Sequence, residues 1–274
     1  MSILTSSSPS GIAVLDSPVT ASEKSAYVRS MFDRIAPRYD LLNSVLSVGI
    51  HHSWRTFATR CAALEAGNAV LDVCTGTGDW AVLLRESVGP EGLVVGLDFS
   101  MPMLRSGDAK FRGAGVPRTQ GDASRLPFQT NTFDAVTVAF GIRNVAEVDL
   151  AFSEFARVLK PGGRMVCLEF AEPKPGLLHT LYKGYSRHIL PKIGNAVSGS
   201  SEAYKYLPES VERFRTREQL AQDMRDAGFS AVRYVDLSLG IVCVHVGEKQ
   251  GSERLSDGDP TVSCKTPADE AKTL

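Results

Sequence analysis

Asp72 closes an apolar run at 69–73 and is followed at once by Cys74-Thr75-Gly76-Thr77-Gly78-Asp79 and then by a helix-period segment. A strand, a glycine-rich turn and a helix in that order offer bare backbone N–H groups to a ligand at the carboxyl edge of a sheet. Twenty residues beyond Gly78, Asp98 ends a second apolar run, where a carboxylate can accept both hydroxyls of a ribose. Gly121, Asp122 and Ala123 follow a third run and bring Asp122 to the same edge, within reach of an adenine amino group. Taken alone, Asp122 is as readily a turn residue satisfying its own backbone. Together the three segments select an adenosine ligand. An incidental glycine turn with Asp79 as an ordinary helix N-terminal acid would need the glycine spacing, Asp72 and Asp98 all to coincide.

Gly76, Gly78 and Ala81 also fit the dinucleotide fingerprint with its acid about 20 residues on, so the glycines do not separate the adenosine cofactors. Charge separates them. A pyrophosphate over the helix N-terminus would lie against Asp79, with Asp72 near, and two anions about 4 Å apart repel by roughly 1–4 kcal/mol. The sulfonium and α-ammonium of S-adenosylmethionine are attracted instead. A methyl donor is therefore expected, and a nicotinamide-dependent oxidoreductase is the alternative. A catalytically silent adenosine-binding scaffold is a further class. A nucleic-acid methyltransferase lacks the Asn/Asp-Pro-Pro-aromatic base-flipping site after the fourth run.

These residues need a sheet to hold them at one edge. Strands are expected at 69–73, 93–98, 118–121, 133–140, 164–170, 231–237 and 240–246, with helices after Gly78, from Ser100 to the Gly113/Gly115 stop, and over 147–160 before Pro161-Gly162-Gly163. That βαβ alternation implies an α/β fold: a seven-stranded, mostly parallel sheet with helices on both faces. The last two runs are joined at 238–240, too short for a parallel crossover and right for a hairpin, so an antiparallel edge is expected. Ahead of the first strand, Tyr27, Val28, Met31, Phe32 and Ile35 form one apolar stripe on a helix that can cap the ligand end.

The chain has 274 residues, 43% of them hydrophobic, enough for one or two domains with a sizeable core. Its net charge of −1, without a basic block, argues against a sequence-independent nucleic-acid binder. The longest charge-free body stretches, 135–142 and 237–244, fall short of the roughly 18 apolar residues of a membrane span. Residues 1–20 contain no Lys or Arg, so neither a secretory nor a transit signal is expected, and the cytoplasm is the expected location. Residues 1–22, with seven serines, and residues 250–274 read as disordered tails around one domain at 23–249. The five scattered cysteines have neither metal-ligand nor redox spacing and read as reduced thiols.

Two long motifs carry a resemblance. Tyr39-Asp40-x-Leu42-Asn43-x-x-Leu46-Ser47-x-x-x-His51-x-x-Trp54 and the run from Arg157 through Pro161-Gly162-Gly163 to Glu169 resemble the two signatures of the quinone-biosynthesis C-methyltransferases. The likeness extends through Phe140-Gly141-Ile142-Arg143-Asn144-Val145, Ser198-Gly199 and the segment from Ala203 to Ser210, and so covers nearly the whole body. It implies a class I, Rossmann-like S-adenosylmethionine-dependent methyltransferase acting on demethylmenaquinol or a ubiquinone-pathway benzoquinol. Leu71 to Cys74, Asp79-Trp80, 88–92 and 96–100 look closer to the menaquinone branch. By this likeness the cofactor contacts fall on Thr77, Asp98, Asp122 and Ala123, alongside Asp72, Gly76 and Gly78 from the residues themselves. Ala139 and Ala171 stand where relatives carry serine.

Methyl transfer to a ring carbon needs a hydroquinone hydroxyl to lose its proton, and no metal is required. Arg143 and Asn144 directly follow the fourth strand, where charge and a hydrogen bond can stabilise a phenolate, and the likeness points to the same pair. Arg143 stays protonated, so its expected part is to orient a water or the phenolate; a structural pairing with a helix-end acid is the alternative. Tyr39, His51, Trp54, Tyr204 and Tyr206 are candidates to pack or polarise the ring, His51 being the one that titrates near neutral pH. His51 and Trp54, three apart on one helical face, serve as readily in plain packing. Leu177, Leu178, Leu181, Tyr182, Tyr185 and Ile189 form a stripe that can line an isoprenoid channel or simply face the core. A lipid quinol partner implies transient peripheral contact with a membrane; the oligomeric state stays open, a homodimer included.

Overall fold

The computed structural model describes residues 20–47, 49–173, 176, 184 and 202–251. The 177–189 stripe, Ser198-Gly199 and most of both expected tails lie outside them, as does the side chain of Tyr204.

In chain order the elements are α1 (Ala21–Ile35), a 3-10 turn (Ala36–Arg38), α2 (Tyr39–Leu46), α3 (His51–Ala62), β1 (Ala69–Val73), α4 (Asp79–Val88), β2 (Leu93–Asp98), α5 (Met101–Ser106), α6 (Asp108–Ala114) and β3 (Arg118–Gln120). There follow β4 (Phe133–Ala139), a 3-10 turn (Ile142–Asn144), α7 (Val148–Val158), β5 (Leu159–Phe170), α8 (Glu202–Glu212), α9 (Arg217–Asp226), β6 (Phe229–Leu237) and β7 (Val242–Lys249). The strands form one sheet in the order β3-β2-β1-β4-β5-β7-β6. The first five run parallel, and β7 is antiparallel to both β5 and β6.

The expected hairpin is therefore present, and it doubles back: β7 inserts beside β5 and leaves β6 outermost. At the other rim β3 has three residues. β6 is bulged between Ser230 and Arg233, with Ala231 at φ 49°. The strand expected at 164–170 starts earlier, at Leu159, because Lys160 to Gly163 bulge out between the Phe133–Leu159 and Ala135–Arg164 pairs.

Both faces of β1 and β4 are covered, which is why these strands read as near-continuous apolar runs. Trp54, Trp80, Leu84 and Phe111 pack on one side with Val70 and Val94; Phe152, Phe155, Leu220 and Met224 pack on the other with Leu71 and Val136. A third cluster holds the cap. Val28, Met31 and Ile35 of α1, from the stripe read in the sequence, meet Tyr206 of α8. α1 opens on a capping box between Thr20 and Glu23, and Lys24 in its first turn donates to the carbonyl of Val145 at 3.0 Å. The cap is thus fastened over the carboxyl ends of the parallel strands. Cys74, Cys167 and Cys243 are free thiols, whereas Cys61 is disulfide-bonded, which corrects the expectation of five reduced cysteines.

Candidate functional site: an adenosine cleft under the helical cap

Parallel strands all deliver their carboxyl ends to one edge, and the residues just beyond β1, β2, β3 and β4 meet there in a cleft roofed by Arg29, Phe32 and Tyr39 of the cap. Gly76, Asp98, Asp122, Ala123 and Asn144 all line it. Of the predicted cofactor residues, Gly76, Asp98, Asp122 and Ala123 are brought together in it, whereas Asp72, Thr77 and Gly78 do not line it.

The glycine loop is held by carboxylates rather than merely decorated with them. Asp98 Oδ2 accepts from Gly76 N–H at 2.9 Å and Oδ1 from Ser100 N–H at 2.8 Å. Asp98 is 5% exposed, and burial pushes its pKa up to about 6 against the pull of those two amides. Asp72 accepts from the Thr75 hydroxyl at 2.6 Å and the Thr137 hydroxyl at 2.8 Å; burial raises it to about 6 as well. Asp122 accepts from Ser124 N–H at 2.8 Å, the turn geometry weighed in the sequence, while still facing the cleft.

Gly78 is the N-cap of α4 at φ 89°, and a Cβ there would lie 2.7 Å from the Phe111 ring. Gly107, which splits the single helix expected after Ser100 into α5 and α6, abuts the same loop: a Cβ on it would fall 2.2 Å from the Thr77 carbonyl oxygen. Gly107→Ala is expected to push Thr77 into the cleft and weaken S-adenosylhomocysteine binding about tenfold or more, at a stability cost of about 1–3 kcal/mol. Calorimetric titration beside thermal unfolding reads both; wild-type affinity in a folded variant rules the contact unimportant.

The electrostatics differ from the sequence reading at Asp79. Lys110 of α6 donates to Asp79 Oδ1 and to Asp40 Oδ2, both at 2.5 Å, and Asp40 Oδ1 accepts from the Thr77 hydroxyl at 2.5 Å. Burial pushes the Asp79 carboxyl up, but Lys110 and Arg55 outweigh it and hold it below the usual range. Asp79 is therefore ionised and neutralised, and it supplies no net repulsion against a pyrophosphate. The charge of Asp79 therefore does not choose between cofactors; Asp40, Lys110 and Asp79 instead tie the cap to the loop.

Beyond β4 the chain turns at Phe140, φ 56°, and the two polar candidates part company. Asn144 faces the cleft; its Oδ1 accepts from the Tyr206 hydroxyl at 3.0 Å and its Nδ2 donates weakly to the Phe140 carbonyl at 3.4 Å. Arg143 does not line the cleft. Its Nη1 donates to Glu169 Oε1 and to the Phe140 carbonyl, both at 2.6 Å, beneath 8% exposure, with Glu169 at 1%. Arg143 is thus ion-paired, with an acid near the end of strand β5 instead of one at a helix end. Glu169 was not singled out for this, although it closes the second motif.

His51 and Trp54 also turn inward. His51 Nδ1 lies 2.5 Å from Ser47 Oγ, and burial, reinforced by Arg55, lowers its pKa to about 4. It does not line the cleft described above, and it is buried beneath the cap. Trp54 donates from Nε1 to Ser238 Oγ at 2.8 Å and stacks among Phe140 and Phe170. Among the described side chains, Tyr206 is bonded to a cleft residue. Among the described residues no group of three His, Cys, Asp or Glu side chains converges on a metal site, and no helix is long and apolar enough to cross a membrane.

The ubiE/COQ5 methyltransferase family model matches residues 20–249. The chain is 45% identical over 235 residues to the Ubiquinone/menaquinone biosynthesis C-methyltransferase UbiE of Pasteurella multocida, covering 84% of this chain and 88% of that one. It is 48% identical over 221 residues to the Demethylmenaquinone methyltransferase of Thermus thermophilus, covering 80% of this chain and all 100% of the relative. Among solved structures, a SAM-dependent methyltransferase from Thermotoga maritima superposes with a TM-score of 0.57 at 22% identity, covering 81% of this chain and 100% of that one.

Proposed function

Since the chain belongs to the ubiE/COQ5 methyltransferase family, we propose that it methylates a ring carbon of demethylmenaquinol, with Asn144 facing the reacting ring. Its class of activity is that of the family: S-adenosylmethionine-dependent C-methylation in quinone biosynthesis. The observation that carries the assignment of the site is one continuous cleft reaching from Asp98 and Asp122 to Asn144. The donor, once bound, supplies an electrophilic methyl group on a sulfonium whose sulfur leaves neutral.

The chain's own residues have three tasks. Asp98 holds the ribose hydroxyls while fixing the glycine loop through Gly76 N–H. The Phe32 and Tyr39 rings over the cleft exclude water and give a flat apolar ring a surface to stack on. Asn144, oriented by the Tyr206 hydroxyl, offers an amide N–H to the quinol oxygen as it loses its proton. Arg143 touches no substrate in this reading; it is a positioning residue, clamping the 140–144 turn through Glu169.

Demethylmenaquinol is chosen over a benzoquinol on the branch-like segments at 71–74, 79–80, 88–92 and 96–100. Labelled S-adenosylmethionine with short-chain demethylmenaquinol and a demethyl benzoquinol in parallel tests both points. Label in the naphthoquinol lipid is the expected result; label only in the benzoquinol reassigns the substrate, and label in neither overturns the reading. Asn144→Ala is expected to lower kcat by about 10²–10³-fold with S-adenosylhomocysteine affinity nearly unchanged. An unaltered kcat removes Asn144 from the chemistry.

A further inference from the structure

Arg55 lies on α3 directly after Trp54 and is 7% exposed. Its Nε and Nη1 are buried and, among the described residues, donate to nothing. The nearest acid, Asp79 Oδ2, is 3.9 Å from Nη1, beyond hydrogen-bond reach, and Lys110 already donates to Asp79 Oδ1 at 2.5 Å. The guanidinium is held in place against the Phe140 ring, 5.8 Å from its centroid. A buried guanidinium with two idle donor atoms is one of the costliest arrangements a folded chain can keep, and it persists where an acceptor arrives from outside.

Arg55 lines a small cavity together with Tyr39, Asp72, Gly76 and Thr77. Tyr39, Cys74, Gly76 and Ala139 line both this cavity and the adenosine cleft, so the smaller space is an annex of the larger one. It presents a cation at Arg55 and a carboxyl group at Asp72 around one glycine loop. A zwitterion with its carboxylate and ammonium on one carbon matches that pair of charges, and a planar guanidinium fork recognises a carboxylate by two parallel hydrogen bonds. A pyrophosphate would answer Arg55 but would bring its charge against Asp72.

Resting on the methyl-donor reading of the cleft, we propose that Arg55 binds the α-carboxylate at the amino-acid end of the donor, with Asp72 on the side of its α-ammonium. Arg55 thereby fixes how deep the donor sits and where its sulfur lies along the cleft. This gives the arginine a task that packing alone leaves unexplained, because packing is served better by an apolar side chain of equal length.

Calorimetry on the full chain and on Arg55→Met, each titrated with S-adenosylhomocysteine and with its decarboxylated analogue, isolates the contact. Arg55→Met is expected to weaken S-adenosylhomocysteine by about 10–100-fold and to leave the analogue, which has no carboxylate to lose, within about threefold. Equal weakening of both ligands, or of neither, overturns the assignment. The ligand-free thermal midpoint of Arg55→Met is expected to equal or exceed that of wild type, since two idle buried donors are removed. A lowered midpoint with the preference for the carboxylate-bearing ligand intact makes Arg55 a packing residue and also overturns it. Wild-type protein that binds neither thioether defeats the donor reading itself, an outcome distinct from failure of the Arg55 contact.

Discussion

Asp98→Ala is expected to weaken S-adenosylhomocysteine binding by about 10²–10⁴-fold, the loss of two hydrogen bonds to a charged acceptor at about 1.5–3 kcal/mol each. The effect is large because one side chain serves two partners. Its removal takes away the ribose acceptor and also orphans the N–H groups of Gly76 and Ser100, so the loop that shapes the site loosens with it. Wild-type affinity in this variant would falsify the placement of the cofactor.

The same residue sets a pH dependence. Burial raises Asp98 from 3.8 to about 6, and a ribose hydroxyl donates to the ionised form. Affinity is therefore expected to fall as pH drops through about 6, with protons released on binding in that range; Asp98→Asn is expected to bind weakly and without this dependence. For the ligand-free fold the sign is opposite. A carboxyl whose pKa is raised contributes stability that is present below its unfolded value and lost as pH rises through the folded one, so Asp72 and Asp98 disfavour the empty protein above about 6. His51 and His245, both lowered to about 4 by burial, act the other way: their contribution is lost as pH falls from 6.5 toward 4. Calorimetry between about pH 5 and 8 in buffers of different ionisation enthalpy measures the proton release; none near pH 6 contradicts the assignment of Asp98.

The second large effect concerns Glu169. Glu169→Ala is expected to cost about 3–5 kcal/mol, because it strands the buried Arg143 charge instead of removing an isolated contact. Arg143→Met together with Glu169→Leu is expected to recover most of that stability, since an apolar pair of similar volume avoids the desolvation of both ions. Turnover should stay low in the double variant, because the 140–144 turn then loses the bond from Arg143 Nη1 to the Phe140 carbonyl and Asn144 is no longer held in place. Denaturant titration with kcat measured on the same samples separates the two. Full turnover in the stable double variant shows that the ion pair only holds the fold.

What the sequence makes legible is what local chemistry encodes. The glycine loop, Asp72 and Asp98 stand out because a period-2 run, a turn and a period-3.6 run must succeed one another there, and topology then carries Asp122 and Asn144 to the same edge. The cap stripe is legible for the same reason. Lys110, Asp40 and Arg55 are not: Lys110 reaches Asp40 across 70 positions, and which acid a lysine neutralises depends on how α6 packs under the loop. This is why an electrostatic argument from composition near Asp79 reached the wrong local charge even though the cofactor class it favoured is the family's. Arg143 and Glu169, 26 positions apart, come together because adjacent parallel strands β4 and β5 end side by side, and their order in the sheet is not written in either strand. The hairpin of β6 and β7 is predictable from its short connection, whereas the insertion of β7 beside β5 is not.

That insertion shapes how copies of the chain can associate. One lateral boundary is a three-residue strand, and the other is a strand broken by a bulge. Neither offers a long, flat row of free amides and carbonyls onto which a second molecule could extend the hydrogen-bonded ladder. Self-association by β-augmentation is thereby discouraged at both flanks.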